Sequence, residues 1–237
     1  MEALGNASHS FNEFLLLIAA VLLWMLMKAR YADGLLQVSN LTSTRSAISS
    51  LLQKYRKVGE RSSLDGDAAA ASVSNPASPD NVIHIVHSVP DGTPIFTPKS
   101  ALAHEFPELI PLPHERVISK KHPGAFKDTN LHDSLQTMSE KIVGTNEQKQ
   151  QGQHDGQEVS TSKDKKPKLV LAGYMAHVCV STTARQAAEL GYEVIVAGDA
   201  VGDRDIPGAK GEEVTKMVLL ELADAFAEVV ESRDIVA

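Results

Sequence analysis

The residue best suited to covalent chemistry is the single cysteine, Cys179, in the string GYMAHVCVSTTAR. One cysteine forms neither an internal disulfide nor a multi-cysteine metal site, so its thiol is either a nucleophile or a small side chain filling space. Its setting favours the nucleophile. The apolar run KLVLAG, 168–173, reads as a buried strand, and a helix follows from about Val178 to Leu190, stopped by Gly191. Cys179 therefore falls at the start of a helix just past a strand. The positive end of the helix dipole favours the thiolate, which is the reactive form. The N–H groups of that first turn lack helical acceptors and can receive an oxyanion developing on an attacked carbonyl. His177, just before the thiol, either lines a pocket or faces solvent from the turn. In NVIHIVH, 81–87, His84 and His87 lie along one strand, one buried and hydrogen-bonded, the other near the pocket.

The elements that must position these groups alternate in type. Ile48, Leu51, Leu52, Tyr55 and Val58 make a helical stripe within 41–58, and 81–87 then reads as a strand. A short strand at 116–119, a short helix at 131–138, strands at 168–173, 193–197 and 227–230, and a helix at 212–223 follow. This order predicts an α/β fold: a three-layer αβα, Rossmann-like central parallel sheet with helices on both faces and a site outside the carboxyl ends of its strands. A chain of 237 residues with 43% hydrophobic content fits one domain with a sizeable core, read here as 14–237 behind a tail at 1–13. Two low-complexity stretches, 60–80 and 145–166, are almost free of large apolar groups and read as irregular surface insertions. The net charge of −7, with no Lys/Arg run, argues against a nucleic-acid partner and for a small-molecule substrate. The apolar run 14–27, FLLLIAAVLLWMLM, reads as a buried strand with an overlong flank. As a helix its 14 residues would span about 21 Å, short of a hydrocarbon core of about 30 Å, though membrane association through it stays open. No basic residue precedes it, so a secretion signal is not expected and the location is read as cytoplasmic.

GYMAHVCVSTTARQAAELGYEVIVAGDAV resembles the signature of the isochorismatase-like cysteine hydrolases, a Gly-rich turn before the nucleophilic cysteine. VISKKHPGAFKDTNL is similar to the family's lysine motif, with Lys120 six residues before Phe126 of the Ala125-Phe126 pair. NVIHIVH resembles the second strand and YADGLLQVSN the segment after the first, so the likeness runs from about Phe14 to the C-terminus outside the two insertions. The resemblance implies that Cys179 attacks a carbonyl carbon, that Lys120 supports the anionic states, and that an aspartate at the end of the first strand takes the thiol proton. It also implies a cis peptide bond at Tyr174-Met175, an oxyanion hole made by the backbone N–H groups of Met175 and Cys179, and a pocket drawing on His87, Phe126, Tyr174 and His177. No cofactor is implied, and homo-oligomers are common in the family.

The chain departs from that pattern at the acid. Counting forward from LLLI puts the position at Ala19; counting back from YADG puts it at Leu26, and Asp33 lies beyond it. The Asp-x-His metal ligands of nicotinamidases are not reproduced by His84, His87 and the following SVPDGTPIF, so no metal is expected. Two functions follow: a hydrolase acting on a small amide or related acyl substrate through a Cys179 thioester, or a catalytically impaired relative that binds a small molecule or a protein partner.

Overall fold

A computed structural model describes residues 20–25, 36–64, 81–88, 105–139 and 166–236. Six strands pair in parallel: β1 (Ala20–Met25), β2 (Val82–His87), β3 (Arg116–Lys120), β4 (Lys168–Tyr174), β5 (Glu193–Gly202) and β6 (Glu228–Val230). Their order across the sheet is β3-β2-β1-β4-β5-β6. The chain works outward from β1 to β3 and then crosses back to β4. The direction of winding thus reverses between β1 and β4, and the carboxyl ends of those strands flank the crevice where a doubly wound sheet places its ligand.

Among the described residues the α-helices are α1 (Leu41–Leu64), α2 (131–139), α3 (Ser181–Glu189) and α4 (Gly211–Ala225). β4 is buried along nearly its whole length, and its side chains alternate between two cores as strand geometry requires. Val170 and Ala172 pack with Ile48, Leu51, Leu52 and Tyr55 of α1. Leu169 and Leu171 belong to the opposite core, with Leu131 and Leu135 of α2, Ala184 and Ala187 of α3, and Val218 and Leu222 of α4. Helices therefore cover both faces of a parallel sheet, the three-layer α/β architecture expected from sequence.

Several boundaries differ from expectation. α1 continues through Leu64 into the stretch read as irregular from residue 60, because an established helix propagates through Glu60, Arg61 and Leu64, all good helix formers, until a breaker intervenes. Residues 65–80 and 145–165 of the two insertions, and the tail at 1–13, lie outside the described residues. β5 runs to Gly202, well past residue 197, and its register against β4 shifts between Leu171 and Gly173. Within the apolar run, β1 covers Ala20–Met25 between β2 and β4, as the strand reading requires. Residues 14–19, 26 and 27 of that run are not described. Among the described residues no helix is long and apolar enough to cross a membrane.

Candidate active site

Two loops at the carboxyl edge of the sheet bring Lys120 and Cys179 together. Lys120 is the last residue of β3, paired with His87 at the end of β2, and is only 1% exposed. A buried ammonium requires hydrogen-bond acceptors. Its Nζ donates to the carbonyls of His122 at 2.8 Å and Pro123 at 2.7 Å, and to the Cys179 sulfur at 3.2 Å. His87 Nδ1 approaches at 3.5 Å. The loop supplying those carbonyls is tied to α3, since the Ala125 N–H donates to buried Thr183 Oγ1 at 3.1 Å. At Gly124 an added Cβ would lie 2.0 Å from Gln186 Oε1, so that side chain would have to move.

Cys179 comes from the other side of the crevice. The Tyr174-Met175 peptide bond after β4 is cis. A single π-helical turn, Ala176–Val180, then leads into α3. Cys179 is the fourth residue of that turn and so precedes the α-helix it was expected to begin. Met175 O accepts from the N–H groups of Val178 at 3.3 Å and Val180 at 3.2 Å, and the His177 N–H donates to Asp203 at 2.8 Å. The sulfur thus lies beside a fixed, buried ammonium. Among the described residues no carboxylate hydrogen-bonds either group, and no cluster of three or more metal-ligating side chains is gathered.

The four expected pocket residues go to four different places. His87 lies beside Lys120. Phe126 packs on the core that Cys179 also touches and stacks on Tyr192 with ring centroids 5.9 Å apart. Tyr174 leaves the expected lining: its ring is 1% exposed in the core under α1 and its hydroxyl bonds Thr44. Burial pushes that hydroxyl's pKa up, against the opposing effect of the Thr44 hydrogen bond, so it stays a neutral partner. The cause is strand alternation, which points successive side chains to opposite faces.

Of the two strand histidines, His84 is fully buried and its Nε2 donates to Glu115 at 2.8 Å. His177 turns toward Asp203, the residue after β5, which is fully buried. Asp203 Oδ2 accepts from His177 Nδ1 at 2.6 Å as well as from the His177 N–H, and Oδ1 accepts from the Arg204 N–H at 2.8 Å. Sequence reading overlooked Asp203, Thr183 and the two carbonyls on Lys120. GDRD in a loop carries no spacing signal, and a carbonyl has no sequence signature.

Ala19 and Leu26, the two places counted for the missing acid, both lie outside the described residues, but the strand between them does not. Ala20 pairs with Lys168, the first residue of β4, whereas Met25 pairs with Gly173 near its carboxyl end. Met25, the last described residue of the strand, thus stands at the carboxyl edge of the sheet, and Ala20, the first, at the opposite edge.

Residues 154–234 match the isochorismatase domain family model. The chain is 43% identical to the secreted isochorismatase effector Isc1 of Verticillium dahliae, over 88% of this chain and 85% of that protein. The crystal structure of an isochorismatase from Pseudomonas putida superposes with a TM-score of 0.67 at 26% identity, covering 92% of this chain and 91% of the other. The first of these relatives overturns the cytoplasmic location read from the N-terminus, because a protein this similar over most of its length is a secreted one. The absence of basic residues before an apolar run was too weak a ground for that reading.

Proposed function

This chain belongs to the isochorismatase family, and from that premise we propose that it is a hydrolase in which Cys179 is the nucleophile and Lys120 its electrostatic partner. The family acts on small molecules, and the substrate class proposed here is a small amide or related acyl compound. The observation that carries the reading is the 3.2 Å contact between Lys120 Nζ and Cys179 Sγ, made by a lysine whose remaining close acceptors are carbonyls. Among the described residues no carboxylate hydrogen-bonds this buried ammonium, which can therefore stabilise negative charge developing at the reacting atoms.

In this mechanism the thiolate attacks the carbonyl carbon and the Met175 and Cys179 N–H groups receive the oxyanion. Expulsion of the leaving group gives a thioester on Cys179, and water then releases the acid and restores the thiolate. The aspartate that assists relatives is replaced here by an apolar residue, and losing a general base typically costs about 100- to 10,000-fold. The chain is therefore expected to turn over slowly. By analogy with the secreted relative, we further propose that this protein acts outside the cell that makes it.

The test is a panel of small amides, ureas and activated esters, with isochorismate included because of the relatives' names, followed by intact-mass detection of adducts. An acyl group on Cys179 with slow release of acid is expected. If no compound gives an adduct or product, the protein instead binds a small molecule or a partner without chemistry.

A further inference from the structure

Lys120 is held at Cys179 by a curl of chain that folds back over the lysine's own side chain. The carbonyls that anchor Nζ belong to His122 and Pro123, two and three residues further on, and from that cradle Nζ meets the sulfur at 3.2 Å. β3 is an edge of the sheet, so among the described residues no strand pairs with its outer side to steady the curl. The far end is fixed to α3, by the Ala125 N–H on Thr183 and by Gly124 against Gln186. Nearer the lysine, Lys121 is exposed, Pro123 has no N–H to donate and Gly124 has no side chain. The polar tie there is the His122 ring, whose Nε2 donates to Asp128 Oδ2 at 2.7 Å.

Asp128 belongs to a firmly built segment. Thr129 Oγ1 donates to the Ala125 carbonyl at 2.6 Å, lies 3.3 Å from the Phe126 carbonyl and accepts from the Leu131 N–H at 3.3 Å, and fully buried Leu131 begins α2. Asp128 itself has a φ of 53°, a positive value that among the described residues is otherwise found at glycines. A Cβ is disfavoured there, and glycine would be free of the penalty. The ion pair does not return that cost as stability, because its side chains are 34% and 68% exposed and an exposed pair contributes little. An unfavourable backbone kept for the sake of one contact points to a use for the contact itself.

We propose that Asp128 is a positioning residue: it holds His122, and through the His122 backbone it holds the carbonyl cradle that aims Lys120 at Cys179. This rests on Cys179 being the nucleophile. Without the tie, the His122 and Pro123 carbonyls are free to turn toward water, and a buried ammonium that needs acceptors follows them away from the sulfur. The positive charge then no longer stands where negative charge develops during attack.

p-Nitrophenyl acetate reads this step, because its phenolate leaves without needing a proton and an acetyl group on Cys179 is located by peptide mass. The full chain would be acetylated at pH 7 as wild type, Asp128→Gly, Asp128→Asn, His122→Ala and the Asp128→Gly/His122→Ala double variant, with denaturant unfolding of each alongside. Asp128→Gly should unfold close to the wild-type midpoint, since relief of the left-handed backbone offsets the lost pair. It should nevertheless acetylate about tenfold more slowly, a part of the roughly 100-fold that a small misplacement costs. Asparagine keeps an acceptor oxygen and tolerates the left-handed backbone, so Asp128→Asn should keep most of the wild-type rate. The double variant should be no slower than the slower single one, since both remove the same bond. A brace that only stabilises the fold would lose rate and stability together. Equal acetylation in wild type and Asp128→Gly, or a rate that falls only as stability falls, overturns the proposal while leaving the nucleophile intact. If wild type acetylates no faster than a free cysteine peptide, the nucleophile reading fails and the positioning role with it.

Discussion

At the scale of single residues, the site couples an unusually constrained lysine to an ordinary-looking thiol. Lys120 is anchored by two carbonyls, so its charge cannot move away from Cys179 to follow solvent. Among the described residues no acid hydrogen-bonds Cys179, and the pairing of β1 with β4 bears on where one should go. Met25 stands opposite Gly173 at the catalytic edge, so Leu26→Asp is expected to raise turnover by tenfold or more, a share of the roughly 100- to 10,000-fold that a positioned base contributes. Ala19→Asp, beside the strand end that pairs with Lys168, should leave turnover where it was. Steady-state rates on whichever ester or amide gives the adduct decide this; recovery in Ala19→Asp alone would reverse the assignment. Cys179 and Lys120 were legible because each sits in a motif of fixed spacing. Asp203 was not, since it meets His177 only through the pairing of β5 with β4.

At the scale of elements, the proposed catalytic edge depends on a loop and a helix joined by a buried contact. The 121–126 loop holds Lys120 by its carbonyls and is itself held by Thr183 of α3, which is fully buried. Thr183→Val keeps the shape and removes the acceptor, orphaning the Ala125 N–H. That change is expected to destabilise the protein by about 1–3 kcal/mol and to slow acylation of Cys179 as the lysine loosens. Denaturant unfolding measured beside the acylation rate tests both halves; a stability loss with no change in acylation would disconnect the loop from the site. Periodicity revealed the strand-helix alternation, and Gly191 marked the end of α3, where its φ of 79° suits glycine. The π-helical turn and the extension of β5 were not readable. Both arise from how β4 and β5 meet at their carboxyl ends, and no local pattern of residues encodes that.

At the scale of the molecule, a buried cluster far from the thiol ties α1 to β2 and to the start of β3. Glu115 accepts from Arg56 Nε at 2.7 Å, from Arg56 Nη2, His84 Nε2 and the Leu112 N–H each at 2.8 Å, and has no side-chain exposure. Burial alone would raise its pKa, but the Arg56, His84 and Leu112 hydrogen bonds prevail and lower it from 4.5 to about 2. A carboxyl depressed on folding contributes stability in full above its unfolded value and loses it as pH falls from 4.5 toward 2. The contribution is on the order of 3 kcal/mol. Glu115→Gln should therefore be less stable at pH 7 by a few kcal/mol and show a flatter decline in acid. Unfolding free energies from pH 7 to 2 in both proteins test this, and parallel curves would remove Glu115 as the cause. Sequence reading expected one of His84 and His87 to be buried and hydrogen-bonded but named no partner, because Glu115 reaches His84 from a loop.

Because the chain has one cysteine, the proposed partnership of Lys120 with Cys179 can be read from its alkylation without ambiguity. The measurement is the rate of iodoacetamide labelling at pH 7, by intact mass, for wild type, Lys120→Met and a free cysteine peptide. Wild type is expected to label faster than the peptide, and Lys120→Met to lose about tenfold or more, because the positive charge beside the attacking sulfur is gone. Equal rates in all three would contradict the claim and return Cys179 to a side chain that fills space beneath α3.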